Sequence, residues 1–190
     1  MTLDPAHPDT VYAGGYEGSA AAVYRTLDGG GNWSKVSAPG LSGQVNALAV
    51  CPSNPSLILA ATTTGIYRST DFGSSFARVA ASVSSGKDLL FDPVDSQHVW
   101  AATGSQGVWH SGDGRLGWSA MNSGLDVQAM SRLAVNPGNW LFAGTACGAA
   151  WRWSLGTGVG EQGESPLPRP SVLAVPNPVM SGAEIRYPAP

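Results

Sequence analysis

The chain has 190 residues, 43% of them apolar, which is enough to bury a substantial core. Thirteen acidic against ten basic residues leave a formal charge of −3 with no basic cluster, which argues against a nucleic-acid partner. No run approaches the ~20 apolar residues of a membrane helix, and Cys51 and Cys147, with no CxxC or histidine companion, read as unpaired packing residues rather than a metal site.

In chain order, the first recognisable phrase is TLDPAHPDTVYAGG from Thr2. It returns as AVCPSNPSLILAAT from Ala49, LFDPVDSQHVWAAT from Leu90 and AVNPGNWLFAGT from Ala134. Each copy opens on apolar residues, turns at an Asp-, Asn- or Cys-Pro dipeptide, and resumes in a short β-branched or aromatic run that ends in small residues. Two strands and a tight turn are predicted from each. A third strand follows in AAVYRT, GIYRST, GVWHSG and AAWRWS, each with an aromatic at the same offset.

Next comes an eight-residue motif: TLDGGGNW at 26–33, STDFGSSF at 69–76 and SGDGRLGW at 111–118. Its residues are Thr26, Asp28, Gly30 and Trp33; Ser69, Asp71, Gly73 and Phe76; and Ser111, Asp113 and Trp118. The aspartates stand 43 and 42 residues apart, and a period of about 40–50 residues marks stacked repeats rather than one site. A fourth strand starts at the closing aromatic, in WSKVSA, FARVAA and WSAMNS. Four short antiparallel strands per repeat, without helical periodicity, predict an all-β fold: a partial β-propeller of about four blades. The motif then occupies the turn between the third and fourth strands. Its aspartate is expected to accept backbone N–H bonds, its glycine to supply a positive φ, and its aromatic to pack between sheets. A phosphate-cradling loop would need a lysine or a strand-to-helix GxGxxG context that is absent here. Of the seven tryptophans, Trp33, Trp100, Trp109, Trp118 and Trp151 hold repeat positions that predict burial between blades.

These motifs resemble the Asp-box, or BNR, repeat of sialidases, sortilin-type receptors, a photosystem II assembly factor and xyloglucan-cleaving propellers. The likeness covers about residues 1–156, with the first and last blades incomplete, and it implies fold more than function. It weakens along the chain: Arg115 stands where glycine is expected, and Trp153 and Leu155 replace the hydroxyl and aspartate in the fourth copy. Such propellers close with more blades, so the remaining blades are expected upstream.

Beyond the repeats, residues 157–171 read as a Gly/Pro-rich linker, and half of the fourteen prolines lie from Pro166 onward. In residues 172–190, VLAVPNPVMSGAEIRYPAP is similar to the start of a type IX secretion C-terminal sorting domain or a FlgD-like immunoglobulin module, with strands expected at Val172 to Val175 and Ile185 to Tyr187. That resemblance implies a secreted or cell-surface protein.

Two functions follow. The first is a non-catalytic propeller, structural or binding a protein or polysaccharide. The second is a piece of a glycoside hydrolase resembling the xyloglucan-active propellers, which would need a pair of carboxyl groups roughly 5–9.5 Å apart. Glu17, Asp88 and Asp126 are the acids outside the repeat frame, expected in or near ligand-side loops, and Trp109 and Trp140 are candidate sugar-stacking surfaces. Arg25, Arg68 and Arg152 share one repeat offset, which makes them scaffold rather than a converging triad. His7, His98 and His110 lack metal-ligand spacing. No cofactor and no metal are expected.

Overall fold

The computed structural model describes residues 1–80, 82–113, 116–125, 128–136, 139–146, 148–155 and 173–174. These form four four-stranded antiparallel sheets, with no helix among the described residues. The first sheet holds β1 (Thr2–Leu3), β2 (Val11–Glu17), β3 (Ala20–Thr26) and β4 (Ser34–Val36). The second holds β5 (Val45–Cys51), β6 (Asn54–Thr62), β7 (Gly65–Ser69) and β8 (Ala77–Ala80). The third holds β9 (Gly86–Phe91), β10 (Val99–Thr103), β11 (Val108–Ser111) and β12 (Ser119–Ala120). The fourth holds β13 (Met130–Asn136), β14 (Trp140–Thr145), β15 (Ala149–Ser154) and β16 (Leu173–Ala174). Strand order follows chain order in every sheet. This is a partial β-propeller.

In the first, third and fourth sheets the first hairpin turns where a polar side chain caps the backbone. Asp4 Oδ1 accepts from Ala6 N–H at 2.8 Å, Asp92 Oδ1 from Val94 N–H at 2.8 Å, and Asn136 Oδ1 from Trp140 N–H at 3.0 Å. Such Asx turns hold the chain reversal without help from the sheet.

Successive sheets pack face to face, and three apolar cores lie between them. Tyr12 and Val23 of the first sheet meet Val45, Leu48, Val50, Ile58, Tyr67 and Phe76 of the second. Leu59, Ala61 and Ile66 of the second meet Leu89, Phe91, Val99 and Ala101 of the third. Trp100, Ala102 and Val108 of the third meet Met130, Leu141, Ala143, Trp151 and Trp153 of the fourth. Cys51 lies buried in the second of these cores as a free thiol; Cys147 is outside the described residues. The innermost strands β5, β9 and β13 pack in series, whereas among the described residues no packing interface joins the first sheet to the fourth. Close approach dictates small residues. A Cβ on Gly14 would collide with Val45 Cγ1 and crowd Leu48 Cδ1 at 3.2 Å.

One expectation is corrected here. Trp33, expected between blades, is 43% exposed, whereas its repeat equivalent Phe76 is 6% exposed. The closing aromatic turns toward the preceding sheet, and the first sheet has none. Leu173–Ala174, within the strand expected over Val172 to Val175, pairs with β15 through Ala149↔Ala174 and Ala150↔Leu173. The edge of β15 offers unpaired N–H and C=O groups, and these two residues satisfy part of it. The rest of the linker and tail, Ile185 to Tyr187 included, lies outside the described residues.

Candidate functional site

The Ser/Thr-x-Asp turns are closed networks. Thr26 Oγ1 donates to Asp28 Oδ1 at 2.6 Å and accepts Gly30 N–H at 3.0 Å. Asp28 then accepts Asn32 N–H at 2.8 Å and Asn32 Nδ2 at 2.7 Å. In the second turn Ser69 Oγ donates to Asp71 Oδ1 at 2.6 Å and accepts Gly73 N–H at 2.8 Å, while Ser75 gives Asp71 both its N–H, at 2.9 Å, and its hydroxyl, at 2.5 Å. In the third, Ser111 Oγ donates to Asp113 at 2.7 Å, and the N–H groups of Leu116 and Gly117 also donate to Asp113. Gly30 and Gly73 take φ of 106° and 83°, a region costly for a residue with a Cβ; Arg115 lies outside the described residues. The donors, led by the Thr26 hydroxyl, hold Asp28 well below the usual carboxylate range. Burial raises Asp71, but Ser69 and Ser75 outweigh it and its net direction is also down. Each carboxylate is satisfied within its own turn, so the three do not converge on a pocket.

The acids outside those turns are also engaged. Asp88 is not in a loop: it lies within β9, where Oδ1 accepts Leu89 N–H at 3.0 Å and Oδ2 accepts Leu133 N–H of the neighbouring sheet at 2.9 Å. Forty-two residues earlier, Asn46 of β5 makes the same kind of link, donating Nδ2 to Gly86 O of β9 at 2.7 Å. Asp88 thus belongs to the repeat as a strut between adjacent innermost strands. Its periodicity with Asn46 was the signal that could have revealed this. Glu17 ends β2 and pairs with Lys35, whose ammonium it pushes up in pKa. Asp126 is outside the described residues. Of the two candidate aromatics, Trp109 packs against the core between the second and third sheets, and Trp140 lies half-buried with the Arg152 guanidinium 4.6 Å from its ring centroid. Trp118 is half-buried against that same core.

One side-chain cluster escapes any reading of spacing. A cleft of about 300 Å³ is lined by Asp92, His98, Trp100, His110, Met121 and Leu155, among others. His98 Nδ1 and His110 Nε2 stand 3.0 Å apart, with ring centroids 5.2 Å apart and planes 11° from parallel. Those values describe two nearly coplanar imidazoles joined end to end by one hydrogen bond, one ring donating and the other accepting. Trp100 lies beside both, and the Asp95 carboxylate is 3.8 Å from His98 Nε2. The residues meet because β10 and β11 pair Trp100 with His110, which brings positions twelve apart onto one face. Burial, then the neighbouring His98, lowers the pKa of His110. The two facing nitrogens are used in bonding each other rather than a third point, so the pair is not a chelate, and no group of three or more metal-ligating side chains occurs among the described residues. His7 instead bonds Asp4 Oδ2 at 3.0 Å in the first turn.

No family model and no curated protein sequence matches the chain. Among solved structures it is similar to the GH74 xyloglucanase from Xanthomonas campestris, with TM-score 0.66 and 19% identity over 80% of this chain and 28% of that one. It is also similar to YCF48 from Cyanidioschyzon merolae, with TM-score 0.56 and 15% identity over 82% of this chain and 52% of that one. A structure of YCF48 bound to D1 peptide matches at TM-score 0.52 and 15% identity, over 74% and 47%. At these identities the likeness shows the β-propeller fold alone, and the chain spans about half or less of each neighbour.

Proposed function

We propose that the chain is part of a non-catalytic β-propeller of the Asp-box type, whose function is to present a surface to a polypeptide or polysaccharide. The observation that carries this reading is the state of its acids. Both oxygens of Asp88 accept backbone N–H groups from two sheets, and Glu17 is paired with Lys35. A general acid or base must be free to exchange a proton with substrate, and Asp88 is not. The internally satisfied aspartate turns support the Asp-box assignment. The structure of YCF48 with a peptide supports a polypeptide as the first ligand class to test, with polysaccharide second.

The runner-up is a piece of a xyloglucan-hydrolysing propeller, favoured by the fold likeness to the xyloglucanase. Incubating the 190-residue chain with xyloglucan separates the two readings. No reducing ends are expected, while peptide and glycan arrays return a ligand. Turnover that Asp88→Asn or Asp126→Asn abolishes without lowering the melting temperature would reverse the preference.

We also propose an extracellular location, resting on the resemblance of the PNP and EIRY phrases to a sorting module. Fractionation of the source cells tests it, and recovery of the chain only from the cytosol would refute it.

A further inference from the structure

Each interface between sheets has two halves, and one copy of each half is uncovered among the described residues. On the outer face of the first sheet, Leu3, Val11, Ala13, Tyr24 and Trp33 match Val50, Ile58, Ala60, Tyr67 and Phe76 of the second sheet by strand register. In the second sheet these side chains are buried against the first. Leu3, however, is 61% exposed, where Val50 and its third-sheet equivalent Phe91 are both at 5%. On the outer face of the fourth sheet, Phe142 pairs with Arg152 just as Tyr12 pairs with Arg25 and Leu59 with Arg68. Tyr12, Leu59 and Trp100 are buried at this position, whereas Phe142 is only half-buried.

The small residues tell the same story. Gly14, Ala61, Ala102 and Gly144 share one position in the register. Gly14 is forced by Val45, and Ala61 Cβ would stand 2.9 Å from a Cβ on Gly86. A Cβ on Gly144 would meet nothing within 4 Å among the described residues, yet the position remains small, as an approaching inner strand requires. The outer face of the first sheet also carries no net charge where Glu17 and Lys35 pair across it.

We infer that these two faces dock on each other between two copies of the chain, head to tail. The first sheet of each copy covers the fourth sheet of the other. Two copies of four sheets give a ring at the upper end of the roughly four to eight blades that propellers use. The contact joins unlike faces, and a head-to-tail contact of this kind closes when the rotation between copies allows it, here as two copies about a two-fold axis. The occupant is specified by the repeat: the chain shows three times what covers such a face, and it is a sheet of this same pattern.

The test is the mass in solution by light scattering on the 190-residue chain, expected at twice the chain mass. Gly144→Val sits in a β-strand with open space around it, so its melting profile should survive, but the added methyls block the approach and the mass should halve. Trp33→Asp on the opposite face should also give monomer. Mixing Gly144→Val with Trp33→Asp leaves one intact face pair per couple, so dimer should partly return. A wild-type monomer overturns the inference and assigns both faces to sheets of a longer chain. A dimer that Gly144→Val leaves unchanged overturns it as well, since that would be a like-face contact, and so would an open ladder of more than two copies.

Discussion

Phe76 and Trp33 hold the same place in adjacent sheets, and only one of them is inside the protein. The difference lies in what stands in front of each: Phe76 faces Tyr12 and Val23 of the first sheet, while Trp33 faces no described sheet. Gly14 and Gly144 repeat the contrast on the other side of the blade. A repeat position therefore specifies which way a side chain points and how large it can be, but burial belongs to the neighbour.

The sharpest way to break this comparison is to truncate both aromatics at concentrations where the chain is monomeric. Phe76→Ala should cost about 3–5 kcal/mol in urea unfolding, whereas Trp33→Ala should stay within about 0.5 kcal/mol. Equal losses would show that Trp33 is packed. Next in size is the glycine pair: Gly14→Val should cost about 1–3 kcal/mol by overpacking, and Gly144→Val almost nothing. Asp88→Ala orphans the Leu133 N–H and should lose about 1–3 kcal/mol, whereas Glu17→Ala should leave the midpoint of unfolding where it was.

Acid titration sharpens the comparison between turns and cleft. Asp28 and Asp71 have folded pKa values below their unfolded ones, so their stabilisation is present above about pH 4 and fades as pH falls further. The double variant Asp28→Asn, Asp71→Asn should flatten the stability curve there. His110 is also lowered, but as a base. The folded state prefers its neutral form, so stability is full above about pH 6.5 and declines below it. His110→Phe should remove the decline between pH 7 and 5 in a thermal melt, the smallest change of the set.

Much of this fold can be read in the chain. Period-two alternation and the Asx-Pro turns locate the hairpins, and the hydroxyl–x–Asp spacing locates the outer turn, because those signals are local. What was not legible depends on contacts between distant residues. An aspartate inside a strand looks like any other until Leu133 is brought beside it. His98 and His110 become neighbours only through strand pairing. Leu173 and Ala174 lie in the stretch expected as a strand, but nothing in their sequence names the edge of β15 as their partner.

The strut at Asp88, with its counterpart at Asn46, has a mechanical consequence. Side chains that tie one innermost strand to the next resist sliding of neighbouring sheets along the central axis, so loops at either end of the axis keep a fixed spacing. Any molecule that bridges two blades would therefore meet a preset ruler rather than a pliable surface.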